Sequence, residues 1–407
     1  MDEEQVHLGR QRCGHGGMVG SKGGDDNFGP SASPASFGQD EWTLRRGEAM
    51  ANEQPTIALA LQGGGSHGAF TWGVLDRLLQ EVSAGRLRVG AVSGSSAGAF
   101  NAALTVSGLA SGGPDKARQK LAAFWKSVSE RGWRSGNAFF FGEPGPFGGF
   151  NLDWSPMSIA LEALGLVVSP YTNPFYRDAL APIVAQAFPT NELAALNAAT
   201  SPRLFIGATD VTSNARVVFT QPDISADVLS ASACLPTEFK AVSIDGVPYW
   251  DGGYLGNPPL SPLLEHAQDL VLVLVNPFRR EGMPPHSAPA IVDRLNEITF
   301  NASVVLEVNA IEAINSLLRD LQAQGLPYSG RYKPIRLHAI SNDAFLEQLG
   351  FMSKSSTSWE LLSRLHDVGY QTAEDWVSVN LGAVGQHSSF DVKGELTHQV
   401  LRAPSRN

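Results

Sequence analysis

Residues 57–81 read IALALQGGGSHGAFTWGVLDRLLQE and residues 86–101 read RLRVGAVSGSSAGAFN, and these two stretches decide the fold. The unbroken apolar run at residues 57–61 predicts a strand that is covered on both faces, as in a parallel sheet. Apolar residues then recur at helical spacing, at Val74, Leu75, Leu78, Leu79 and Val82. A second strand at residues 88–93 and a second turn follow. Open α/β sheets keep their ligand sites at the carboxyl ends of neighbouring strands, so we expect the chemistry to lie at these two turns.

The second turn, at residues 94–98, reads GSSAG and has the pattern G-x-S-x-G. A nucleophile elbow uses this pattern because its serine backbone is strained in a sharp strand-to-helix turn, where small flanking residues let the strand and the helix pass closely. Ser96 has a glycine at the second position on both sides, whereas Ser93 and Ser95 do not. Ser96 is therefore the candidate nucleophile.

The first turn, at residues 63–68, reads GGGSHG and opens the first helix. Backbone N–H groups at a helix N-terminus bind anions, and beside an exposed serine that anion would be a tetrahedral oxyanion. A dinucleotide site would need an acidic residue at the end of the next strand, but that strand ends in the serine turn. The turn also lacks the Gly-Lys-Ser/Thr ending of a phosphate-binding P-loop. Acyl transfer is the chemistry that remains.

Composition limits the function further. The chain of 407 residues carries a net charge of −10, which argues against binding to nucleic acid and against electrostatic capture by anionic membranes. Cys13 and Cys234 are the only cysteines, so no disulfide framework is expected, and no metal-ligand cluster or cofactor motif is found. The N-terminus lacks an apolar signal region, and no apolar run is long enough for a membrane span. These features predict a soluble, cytoplasmic protein.

Two segments differ from the rest in composition. Residues 1–54 hold ten glycines among scattered charges and few apolar residues, which predicts a disordered tail. Residues 132–176 combine many aromatic residues with Gly and Pro. This segment fits an apolar cap or entrance for an acyl chain that also contacts lipid, and it fits equally a loop whose aromatic residues are buried anchors.

The remaining chain alternates between strand and helix patterns. We predict helices at residues 97–109, 116–130, 178–197 and 227–234, strands at 203–210, 216–220 and 270–275, and a hairpin at 240–250 with Asp245-Gly246 as its turn. Two long helices at residues 290–321 and 359–381 are predicted on either side of a strand at 334–340.

Three motifs in order now resemble those of the patatin-like phospholipase family. They are GGGSHG after a first strand, GSSAG after a second, and the DGG of residues 251–253 within SASACLPTEFKAVSIDGVPYWDGGYLGNPPLSPLLE at residues 230–265. The resemblance covers about residues 56–265. It implies a three-layer α/β/α sandwich with a mostly parallel sheet and a catalytic domain at residues 55–278. Outside the resemblance, we predict a mainly helical C-terminal extension at residues 279–407 that packs on the catalytic domain.

The resemblance also implies the site. Ser96 would be the nucleophile, Asp251 its single partner in a Ser/Asp dyad, and Gly63, Gly64 and Gly65 the oxyanion hole, in a metal-free hydrolysis of lipid acyl esters. The remaining motif glycines would support these turns: Gly68, Gly94, Gly98, Gly252 and Gly253. Asp251 follows an apolar strand, and burial there would raise the pKa of its carboxyl and make it a better base. The partners implied are a lipid ester and a transiently contacted membrane surface, with no nucleic acid.

One residue departs from the family pattern. The family usually has Arg or Lys where this chain has His67, so the permanent cation beside the oxyanion hole is lost. A helix N-terminus disfavours imidazolium, and we therefore expect His67 to have no chemical part.

Other functions remain open at this point. An α/β-hydrolase esterase would use Ser96, a downstream Asp and one of four later histidines: His266, His286, His338 or His366. Its oxyanion loop and elbow would lie further apart in the chain than Gly63 and Ser96. An intracellular polyester depolymerase and a non-catalytic binding module are further alternatives, although the serine, the aspartate and the glycines are all present.

Overall fold

A computed structural model describes residues 54–134, 169–173, 176–200, 202–278, 288–327, 333–349 and 351–396. The predicted tail, up to residue 53, lies outside these residues. So does most of the aromatic segment predicted at residues 132–176.

Among the described residues, the central sheet has eight strands: β1 (Thr56–Leu61), β2 (Arg88–Gly94), β3 (Arg203–Asp210), β4 (Ala215–Thr220), β5 (Val242–Ile244), β6 (Val247–Asp251), β7 (Asp269–Val273) and β8 (Arg336–Ile340). They lie in the order β5-β6-β3-β2-β1-β7-β8, and β4 pairs with β3. The pairs among β3, β2, β1, β7 and β8 are parallel, whereas β4, β5 and β6 pair in antiparallel fashion. The sheet is therefore mixed and mostly parallel.

The helices in the described part of the chain are α1 (Gly68–Ser83), α2 (Ala97–Gly112), α3 (Pro114–Arg134), α4 (Ala181–Ala187), α5 (Thr190–Ala198), α6 (Ala226–Ser232), α7 (Ala288–Ala323), α8 (Asp343–Leu346), α9 (Trp359–Asn380) and α10 (Val392–Glu395). Short 3₁₀ turns include Gly65–His67, Gly252–Tyr254 and Phe351–Ser355.

Both faces of the sheet are covered, because side chains alternate along each strand. In β1, Ile57, Leu59 and Leu61 pack into an apolar cluster with α1, α2, α3 and α9. The alternate residues Ala58 and Ala60 pack on the opposite side with α7 and α10. The predicted three-layer α/β/α architecture with a mostly parallel sheet is confirmed.

Two predicted helices differ from the structure. The helix predicted at residues 178–197 is two helices, α4 and α5, and Pro189 lies between them as the residue that precedes α5. Proline lacks the N–H that a continuous helix needs at that point. The helix predicted at residues 227–234 spans Ala226–Ser232 instead.

Strand β8 comes from beyond residue 278, where the sequence suggested a C-terminal extension. It pairs in parallel with β7, with Val273 opposite Ile340. The extension therefore supplies a strand to the central sheet as well as the helices α7 and α9. The domain boundary itself stays a prediction.

Candidate active site

Ser96 occupies the turn between β2 and α2. Its φ is +55°, in the left-handed region that a non-glycine residue rarely adopts. The Ser96 N–H donates to the carbonyl oxygen and the hydroxyl of Ser232, at 3.0 and 3.1 Å. These bonds hold a strained residue at the carboxyl end of the sheet, as the sequence pattern predicts for an elbow.

The flanking glycines explain why the elbow needs its pattern. A Cβ at Gly94 would lie 2.3 Å from the carbonyl oxygen of Gly98, and a Cβ at Gly98 would lie 2.1 Å from that of Leu61. Helix α2 therefore lies so close to strands β1 and β2 that a side chain at either glycine would clash with the backbone. The predicted glycines Gly68 and Gly252 also lie at close contacts elsewhere in the site, against Ala97 and Gly207.

The two neighbouring serines hold structural positions. The Ser93 hydroxyl donates to the carbonyl oxygen of Pro259 at 2.7 Å, and the Ser95 hydroxyl donates to that of Gly256 at 2.5 Å. Both are fully buried. Their hydrogen bonds hold the Ser96 turn against the loop that follows Asp251.

Asp251 ends β6 and is 1% exposed. Its Oδ1 accepts a 2.7 Å hydrogen bond from the N–H of Gly253, which caps the Gly252–Tyr254 turn. The Asp251 backbone N–H donates to Cys234 at 2.9 Å, and its carbonyl accepts from the Thr209 hydroxyl at 2.8 Å. The carboxylate is thus fixed by the strand and by the turn on either side of it.

Burial raises the pKa of Asp251 to about 7. The hydrogen bond from the Gly253 N–H and the nearby Ser96 side chain act in the opposite direction and lower the pKa, while the negative charge of Glu238 adds to the rise. Asp251 Oδ2 makes no hydrogen bond of normal geometry with a described residue. The Ser96 hydroxyl thus lies beside a carboxylate with an unfilled acceptor atom, as is common before substrate tightens a catalytic contact.

The glycine turn lies against the elbow, since a Cβ at Gly63 would be 2.7 Å from the Cβ of Ser96. The Gly63 N–H donates to Asn257 Oδ1 at 2.8 Å. Of the three glycines predicted to form the oxyanion hole, Gly63 therefore has its donor occupied. The N–H groups of Gly64 and Gly65 donate to no described residue, and Gly65 has a φ of +57° that favours glycine.

A buried amide network, which the sequence reasoning missed, holds this turn. The Gly63 carbonyl accepts from Asn257 Nδ2 at 3.2 Å and from Asn276 Nδ2 at 2.9 Å. The Gln62 side chain accepts from the Asn276 N–H at 3.0 Å and donates to Asn301 at 2.8 Å. The Asn-Pro-Pro string in the sequence was a signal for Asn257. Gln62, Asn276 and Asn301 are single polar residues beside apolar runs, and the sequence around them gave no signal of their role.

Three of the four histidines of the alternative triad are described, and none of their hydrogen bonds involves Ser96 or Asp251. His338 bonds Ser389 and Asp269, His366 bonds Asp76 and Asp367, and His266 packs on the ring of Phe205. His286 lies outside the described residues.

His67 is buried in the Gly65–His67 turn, where its Nε2 lies 2.7 Å from the Ser353 hydroxyl. Its side chain therefore binds the Phe351–Ser355 turn. Within the described ranges, no three His, Cys, Asp or Glu side chains are grouped as metal ligands would be. No described helix combines the length and the apolar character needed to cross a bilayer.

Comparison with known proteins gives one family. A family model described as patatin-like phospholipase matches residues 59–264, half of the chain, which includes both turns and Asp251. No curated protein matches the chain. Among solved structures, the crystal structure of VipD from Legionella pneumophila matches with 14% identity over 80% of this chain and 67% of that chain, at a TM-score of 0.35. A likeness of that extent carries no argument about function.

Proposed function

The chain belongs to the patatin-like phospholipase family, and from this membership we propose that it cleaves acyl esters of lipids with a dyad of Ser96 and Asp251. At the level of the family the activity is that of a lipid acyl hydrolase. The observation that carries the dyad is the position of Asp251, a buried carboxylate that lies close enough to the Ser96 side chain for Ser96 to lower its pKa. Its Oδ2 atom has no hydrogen-bond partner of normal geometry among the described residues.

In the proposed reaction Asp251 accepts the proton of the Ser96 hydroxyl as Oγ attacks the ester carbonyl. The N–H groups of Gly64 and Gly65 stabilise the negative charge that forms on the carbonyl oxygen, and the N-terminus of α2 adds a favourable dipole. The protonated Asp251 then gives its proton to the departing alcohol, which leaves an acyl-Ser96 ester. A water molecule that loses a proton to Asp251 attacks this ester, and Asp251 returns the proton to Ser96 Oγ as the bond to the acyl group breaks and the fatty acid leaves.

A triad with histidine is less well supported. The hydrogen bonds of His266, His338 and His366 fall elsewhere, and Asp251 is itself buried enough to act as a base near neutral pH. A non-catalytic module is also disfavoured, because a strained Ser96 and a buried carboxylate both cost stability without serving the fold.

The proposed chemistry is tested by labelling and by a substrate profile. A fluorophosphonate should modify the full-length chain at Ser96, as a peptide map would show. We expect hydrolysis of phospholipids or neutral acylglycerols to exceed that of a short-chain polyester, which is the competing substrate class. Labelling at another serine, or an absence of labelling together with an absence of hydrolysis on every ester, would contradict the proposed function.

The pH profile follows from the raised pKa of Asp251. The base must be ionised to accept a proton, so we expect kcat/KM to fall about tenfold for each pH unit below about 7 and to level off above it. An aspartate with its ordinary pKa of 3.8 would place this limb at much lower pH. Glu238→Gln removes a charge that raises this pKa, and its limb should move to lower pH. A wild-type limb near the ordinary value would contradict a buried Asp251 base.

A further inference from the structure

Helix α7 has two faces of opposite character. Its inner face packs into the core through Val304, Val308 and Ile311. Its outer side carries large apolar side chains that are exposed to solvent: Ile291, Leu295, Ile298, Leu306, Ile314 and Leu317. We call these six residues the α7 outer face.

The α7 outer face is long. Leu295 and Leu317 are each 57% exposed and Leu306 is 70% exposed. From residue 291 to residue 317 a helix rises about 39 Å. Single exposed apolar residues are ordinary on a protein surface, but a row of this length on one helix marks a contact surface.

None of the six residues of the α7 outer face is charged. Between residues 291 and 317, no residue that is described as exposed is charged. Three acidic side chains of the helix form ion pairs: Glu297 with Arg294, Glu307 with Arg216, and Glu312 with Arg319. The α7 outer face therefore suits an uncharged apolar partner better than a charged one.

Helix α7 also contacts the candidate active site. The Phe300 ring packs 5.5 Å from the ring of Tyr254, in the turn directly after Asp251. The Ser303 hydroxyl accepts from the Asn257 N–H at 3.0 Å, and Asn257 in turn holds the Gly63 peptide. The helix that carries the α7 outer face therefore contacts the turn after Asp251 and the residue that holds the Gly63 peptide.

We propose that the α7 outer face docks the protein on the surface of a zwitterionic or neutral lipid bilayer. The choice of lipid over a second copy of the chain rests on the proposed function, on the uncharged character of the six residues and on the contacts of α7 with the turn that follows Asp251. The apolar row would enter the boundary between headgroups and acyl chains, and the helix would lie in the plane of the surface.

The test is flotation of the full-length protein with vesicles of phosphatidylcholine alone. Wild type should float with the vesicles, equally at low and high salt, because no ion pair contributes. The variant Leu295→Gln/Leu306→Gln/Leu317→Gln should partition at least about tenfold less, since glutamine preserves helix propensity but removes the apolar side chains. Val379→Gln, which replaces a side chain that is 78% exposed on α9, is the matched control and should float like wild type.

Each outcome bears on the proposal separately from the enzymatic activity. Ser96→Ala should float like wild type, so docking remains measurable even if no ester is hydrolysed. Equal flotation of the triple variant and wild type, with both folded by thermal melting, would overturn the proposal. It would also be overturned if wild type failed to float, or if sedimentation showed a dimer that the triple variant dissociates.

Discussion

Ser96→Ala and Asp251→Asn are each expected to lower kcat on a soluble short-chain ester by about 10⁴-fold or more. The first change removes the atom that forms the acyl intermediate. The second keeps the Oδ1 atom that accepts from the Gly253 N–H but removes the proton acceptor. Steady-state kinetics of the purified full-length variants measure both losses.

The two losses should not add. If Ser96 and Asp251 act as one unit, the variant that carries both changes should be about as inactive as either single variant, because the remaining group has no function alone. Additive losses would mean that the two residues contribute independently. The dyad would then be the wrong description.

The thermal stability of Asp251→Asn provides a control, because the direction of its change relative to wild type can be predicted. The carboxyl has a pKa of about 7 in the native state and an ordinary value of 3.8. Between these values the native state holds a proton that the unfolded state releases, so the free energy of unfolding falls as pH rises through that range. Asp251→Asn avoids this loss. Its melting temperature above pH 7 should equal or exceed that of wild type.

Histidine variants separate the dyad from a triad. Alanine substitutions at His67, His266, His286, His338 and His366 should each leave most of kcat, with losses of at most about tenfold from local disturbance. A triad histidine would instead cost about 10²–10⁴-fold as the general base. A folded histidine variant as inactive as Ser96→Ala would overturn the dyad and restore the α/β-hydrolase alternative.

The sequence was most informative where local patterns determine structure. The apolar run of β1, the helical spacing in α1 and the glycines around Ser96 predicted the first β-α-β unit, because each depends on residues close together in the chain. The break at Pro189 was also local. The helical pattern on both sides of Pro189 nevertheless led to the prediction of one continuous helix.

Contacts between distant residues were not predictable in this way. Gly63 and Asn257 are 194 residues apart in the chain. Nothing in the sequence around either residue reveals that the Asn257 side chain accepts the hydrogen bond of the Gly63 N–H. The parallel pairing of β8 with β7 is likewise set by tertiary packing. Burial of Asp251 was expected from the apolar strand before it. Its extent depends on the surrounding loops, which the sequence does not specify.

The second large effect concerns the oxyanion hole. Gly65→Ala should lower kcat by about 10²–10³-fold with a much smaller change in KM, the loss expected when one backbone donor is displaced. Gly65 has a φ of +57°, and a Cβ there would lie 2.3 Å from the carbonyl oxygen of Lys354. The turn must therefore move to accept alanine, and its N–H groups move with it.

A matched substitution separates this displacement from backbone strain alone. Gly325 also has a positive φ, of +65°, but a Cβ there would meet nothing within 4 Å. Gly325→Ala should therefore cost similar local strain at the end of α7 and leave kcat nearly unchanged. If Gly65→Ala raised KM alone while kcat stayed constant, the turn would bind the substrate and its transition state equally, and Gly64 and Gly65 would not form an oxyanion hole. An oxyanion hole predicts that Gly65→Ala lowers kcat alone and that Gly325→Ala does not. The reason is that N–H groups aimed at the developing charge contribute only as that charge appears.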